Sequence, residues 1–126
     1  MSEWKVTVTD LDEQSFECSF EDFEKWKDDT IPVEDFAPRK NGEAVFVGRV
    51  LGELGVDSVY THLLVKADDG FEQKISREDV STAFLLFKQN GEPLKKGYPT
   101  RLFVPTSDSD CLNVKSVIEM SLLKEF

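Results

Sequence analysis

The apolar residues of this chain come in short stretches cut by turn-forming residues, and that segmentation admits only hairpins and isolated short helices. Trp4, Val6 and Val8 alternate with Lys5, Thr7 and Thr9, a period of two that predicts a half-buried strand. Asp10 to Glu13 is a turn, and Ser15 to Cys18 is expected to return as the second strand of a hairpin. Val59 to Lys66 is rich in β-formers, Asp69-Gly70 is a hairpin signal, and Phe71 to Ile75 is the return strand. Ala44 to Val47 and Leu102 to Val104 are short apolar strands, the second stopped by Pro105. Val114 to Leu122 alternates, with Val114, Ser116, Ile118 and Met120 opposing Lys115, Val117, Glu119 and Ser121.

The expected helices are few. Ser19 followed by Asp22 has the spacing of a capping box, so a helix begins there with Phe20, Phe23 and Trp26 inward, and Asp28-Asp29 and Pro32 end it. Arg49 to Leu54 suits one or two turns, with Gly55 as the stop. The clearest helical spacing follows Ser76. Glu78 and Asp79 fill its first turn, Val80, Ala83, Phe84 and Phe87 recur, Asn90-Gly91 terminates it and Pro93 prevents continuation. Asn41-Gly42 marks a turn, and Thr106 to Asp110 is a polar loop. With no internal repeat and no βαβ unit, the pattern predicts an α+β fold of mixed sheets with a few short helices.

A length of 126 residues suits a single domain over 1–126, large enough to bury a core without a metal or disulfide. Its charge of −10 is uneven: residues 1–36 hold 12 acidic and 3 basic residues, whereas 37–126 hold 13 and 12. Such acidity argues against nucleic acid and against anionic membranes as partners. The acidic N-terminal part is either a solvated face or a docking surface for a basic protein partner. No run of apolar residues is long enough to span a membrane, and the start lacks a basic then apolar leader, so a soluble cytoplasmic protein is expected. Cys18 and Cys111 form no CxxC pair. They leave a single disulfide open, with two free thiols favoured in a reducing compartment.

Residues that carry chemistry are sparse. The lone histidine, His62, lies in an expected strand and follows no nucleophile motif, so a structural or surface role is favoured over a triad. The pairs Asp28-Asp29, Asp68-Asp69 and Glu78-Asp79 are each explained by a turn or a helix start. Asp108-Ser109-Asp110 lacks the downstream Gly and Glu of a calcium loop, and there is no phosphate-cradling glycine motif. Neither catalytic nor metal-ligating residues are assigned.

One ordered series of motifs occupies the second half. Val47-Gly48-Arg49-Val50-Leu51-Gly52-Glu53-Leu54-Gly55-Val56 is similar to a "W-x-GV-x-L-x-x-LL-x-x-aGv" segment. Asp69-Gly70-Phe71 and Ile75-Ser76-Arg77-Glu78-Asp79 fit "s-x-DGy" and "lp-x-ed". Asn90-Gly91-Glu92-Pro93-Leu94 fits "dG-x-PL", Gly97 to Pro105 fits "G-x-P-x-RLvvP", and Asn113 to Val117 fits "k-x-vKwv". In order and spacing the series resembles the molybdopterin-binding domain of the sulfite oxidase family, over a family-like part at 44–120.

The resemblance implies mixed sheets with a β-grasp-like portion. It also implies that Arg101 and Lys115 lie where that family holds the phosphate of its pterin, a dianion suited to a guanidinium and an ammonium. The family's molybdenum-ligating cysteine has no counterpart: the interval Ile31 to Glu43 contains none, Cys18 lies well upstream and Cys111 in a late loop. The family's Trp of "W-x-GV" is also missing, and Lys95-Lys96 replace its usual histidine. The implied protein is a shortened relative, a scaffold or interaction domain without redox catalysis. The alternative is a molybdopterin-binding oxidoreductase domain or cofactor carrier that uses Arg101 and Lys115.

Overall fold

The computed structural model describes residues 4–28, 31, 42–56, 59–94, 98–105 and 112–125. The fold is mixed α+β. Its elements are β1 (Val6–Thr9), β2 (Ser15–Cys18), α1 (Phe20–Trp26), β3 (Gly42–Phe46), α2 (Val47–Leu54), β4 (His62–Ala67) and β5 (Glu72–Ser76). There follow α3 (Arg77–Val80), β6 (Phe84–Gln89), β7 (Glu92–Pro93), β8 (Arg101–Val104), β9 (Leu112–Val114) and β10 (Val117–Leu123). The expected turn at Asn41, the loop at 106–110 and Cys111 lie outside the described residues.

Sheet A has the order β2-β1-β10-β4-β5, with β1 parallel to β10 and every other pair antiparallel. Sheet B has the order β3-β6-β8-β9, with β7 added on β6. One buried cluster joins the inner faces of both: Val6, Val8, Leu63, Val65, Met120 and Leu122 from sheet A meet Val45, Leu85, Phe87, Leu102 and Val104 from sheet B. A smaller cluster of Ile31, Ala44, Phe84, Leu86, Leu94 and Phe103 covers the other face of sheet B.

Local chemistry explains the elements. Asp10 Oδ1 accepts from the N–H groups of Asp12 and Gln14, both at 2.9 Å, and so folds the first hairpin. The Ser19 capping box is complete: Ser19 Oγ accepts from Asp22 N–H and Asp22 Oδ2 from Ser19 N–H. Phe23 is fully buried, and Trp4, Phe87 and Trp26 pack around its ring. Gly55 closes α2 in the left-handed region at φ 67°, where a Cβ is costly. The β4–β5 hairpin forms at Asp69-Gly70 as its sequence signals.

Two expectations are corrected. The helix that starts at Ser76 has only four residues, and Phe84 and Phe87 belong to strand β6. Ser76 does cap the short helix, its Oγ accepting from Asp79 N–H at 3.2 Å. β6 runs through the middle of sheet B with both faces covered, so Phe84 and Leu86 enter one cluster and Leu85 and Phe87 the other. A strand buried on both faces shows no period of two, and its continuous apolar run mimics a helical stripe. Asn90-Gly91 is accordingly a two-residue hairpin turn between Gln89 and Glu92, both residues having positive φ.

The second correction concerns Val114 to Leu122, which is two strands in different sheets. The chain leaves sheet B at Val114, turns through Ser116 at φ 58°, and enters sheet A at Val117. A register shift between Val117 and Glu119 then turns Ile118 outward, so Val117, Met120 and Leu122 are the buried positions.

Candidate functional site

Arg101 opens β8 and Lys115 follows the end of β9, and the pairing of these strands makes their backbones neighbours. Leu102 pairs with Val114, so Arg101 and Lys115 are the next residues outward on the two chains. Thr100 fastens this junction. Its carbonyl accepts from Val117 N–H at 2.8 Å, and its buried hydroxyl donates to Val117 O at 2.9 Å. Thr100 fills an unspecified position of the Gly97 to Pro105 motif, and only its full burial as a polar residue distinguishes it.

The two cations have different surroundings. Arg101 shares a face of sheet B with Phe103, and its guanidinium carbon lies 5.1 Å from the centre of that ring. Burial pulls its pKa below the ordinary arginine value, although an arginine stays charged. Its Nε is buried and finds no acceptor among the described residues. Lys115 is exposed and lines an open cleft of about 250 Å³ with Ala67, Asp69, Phe71 and Val114. Neither residue forms an ion pair with a described carboxylate. The cleft at Lys115 does not include Arg101, so the two cations are neighbours in backbone register only; a buried guanidinium donor without an acceptor is by itself chemically suited to a phosphate or carboxylate oxygen.

Thiolate chemistry has little support at Cys18. That residue ends β2 and is 1% exposed. Burial first, and the nearby Asp22 carboxylate second, push its thiol up to about 12, so it remains protonated at neutral pH. Among the described residues, no three His, Cys, Asp or Glu side chains converge as metal ligands.

His62 is half-buried in β4. Its Nδ1 lies 3.0 Å from Thr61 Oγ1 and 3.9 Å from Glu125 Oε1. The Thr61 hydroxyl in turn contacts Leu123 O at 3.3 Å and accepts from Glu125 N–H at 2.7 Å. This arrangement anchors the chain after β10.

Much of the N-terminal acidity has local partners. Asp10 and Asp22 hold turns and caps, Glu17 pairs with Lys5 at 3.4 Å, and Glu24 pairs with Lys88 at 2.8 Å. Lys88 also meets Glu43 at 3.3 Å, and Glu43 bonds Lys27, which links α1, β3 and β6 through charge. The sequence offers no signal for this cluster, because its members are far apart in the chain. No described helix is long and apolar enough to cross a membrane.

No family model matches the sequence, and no curated protein matches it either. The structure is similar to a chain in the crystal structure of the sulfane dehydrogenase SoxCD from Paracoccus pantotrophus, with a TM-score of 0.69 and 21% identity. The match covers 97% of this chain and 38% of that one, so this chain spans well under half of its neighbour's length. At that identity the likeness is one of fold.

Proposed function

We propose that this chain is a shortened relative of the molybdopterin-binding domain of the sulfite oxidase family, acting as a scaffold or interaction domain without redox catalysis. The fold shared with an oxidoreductase chain supports the family reading. The β-grasp-like portion is assigned to sheet A, where a hairpin precedes a helix and the first and last strands pair in parallel. The observation that carries the loss of catalysis is the donor set. In that family a cysteine thiolate holds the metal, whereas here Cys18 holds a protonated thiol in the core and the interval Ile31 to Glu43 contains no cysteine. These residues do not fit a bound molybdenum centre. The interaction surface of this reading is the acidic N-terminal part, where Asp12, Glu13 and Glu21 are exposed and suit a basic partner.

Arg101 favours a second reading, a carrier that holds the pterin phosphate without the metal's thiolate. Arg101 and Lys115 would bind the phosphate oxygens, and Thr100 would fix the backbone between them. Native mass spectrometry of protein expressed in a host that makes molybdopterin separates the two. The first reading expects the bare chain mass. A retained pterin mass that disappears in Arg101→Ala and Lys115→Ala would support the carrier and overturn the first reading.

A further inference from the structure

We propose that the β5 edge of sheet A is a self-association surface, where a second copy of this chain pairs antiparallel and extends the sheet across a two-fold axis at Gln73. Among the described residues, β5 pairs only with β4 and ends sheet A. The hairpin geometry identifies its outward-pointing groups. Ala67 N–H donates to Phe71 O at 2.8 Å, and Arg77 N–H to Thr61 O at 3.0 Å. These bonds bracket the ladder, so Leu63 with Ile75 and Val65 with Gln73 are the bonded pairs between them. The backbone N–H and C=O groups of Glu72 and Lys74 therefore point away from β4, toward the open edge, where Gln73 Nε2 donates to Lys74 O at 3.1 Å and must give way to the incoming strand.

An antiparallel partner must place such outward residues opposite one another, which leaves few registers. Pairing Glu72 with Glu72, or Lys74 with Lys74, sets like charges face to face. The register centred on Gln73 pairs Glu72 with Lys74 of the other copy, twice by symmetry, and joins all four outward residues by backbone bonds. Charge complementarity thus selects one register. The surroundings extend it: Lys66 lies 3.9 Å from Glu72, and Glu125 lies 2.7 Å from Lys74, so the joined face alternates in sign as Lys66, Glu72, Lys74, Glu125. Phe71, 51% exposed beside this edge, comes opposite Ile75 of the other copy. Charges on an edge strand ordinarily block pairing. Here their alternation makes the edge complementary to itself. The interface is small, so association is expected to be weak.

Sedimentation equilibrium of the full chain tests the proposal. At roughly 100 µM the wild type is expected to show substantial dimer, with a mass approaching twice 14.3 kDa. Glu72→Lys or Lys74→Glu alone sets two like-charged pairs at the axis and is expected to weaken association by about tenfold or more. The double exchange, Glu72→Lys with Lys74→Glu, restores opposite charges and is expected to restore the dimer. A wild type that stays monomeric, single reversals that associate like wild type, or a double exchange no better than the singles would each overturn the proposal. Should a variant fail to fold, amide exchange of the wild type decides. The N–H groups of Glu72 and Lys74 are expected to exchange more slowly as concentration rises, and rates independent of concentration refute it.

Discussion

The charges that matter to this molecule are few, and their partners give them their roles. Glu43 is the clearest case. A hydrogen bond from Lys27 is the main cause that holds its carboxyl below the ordinary value of 4.5, with Lys88 adding to it. A depressed folded pKa stabilises the native state above the unfolded value and loses that contribution as pH falls through the folded pKa. Wild type is therefore expected to lose stability as pH drops below about 4.5, and Glu43→Gln to show a flatter acid limb. Urea melts at a series of pH values check this, and parallel limbs for the two proteins would contradict it. At this scale the sequence is a partial guide. Ser19, Asp22, Gly55, Asp69 and Gly70 announce their roles because caps and turns are local. Lys27, Glu43 and Lys88 do not, because their pairing depends on elements far apart in the chain. Arg101 and Lys115 are indicated by resemblance alone, and nothing in their spacing foretells that β8 pairs with β9.

Strands exposed on one face were legible as elements, and the strand buried on both faces was not. β1 shows its period of two because Val6 and Val8 are buried while Thr7 and Thr9 are not. β6 lost that signature because Phe84, Leu85, Leu86 and Phe87 are all buried. The Asn90-Gly91 pair was the better local signal, since its two positive φ values are those of a tight hairpin turn. Gly91 sits at φ 79°, so Gly91→Ala is expected to cost about 1 kcal/mol through backbone strain. Chemical denaturation reads this directly, and an unchanged midpoint would argue against the turn. The division of Val114 to Leu122 escaped the sequence for a related reason. Ser116 adopts a left-handed conformation with no glycine to signal it, and the bulge after Val117 inverts the alternation.

At the scale of the whole molecule, two sheets share one core. β10 is the element that joins the architecture. It pairs in parallel with β1 and antiparallel with β4, and its first residue bonds Thr100 beside β8. The parallel pair could not be read from local pattern, because its partners lie at opposite ends of the chain. The proposed loss of redox catalysis rests on a described thiol, Cys18, that is sealed in the core. The most direct test is the molybdenum content of the chain purified from a host that makes molybdopterin, measured by elemental analysis against protein concentration. A molybdenum-to-chain ratio close to zero is expected. A ratio close to one would contradict it.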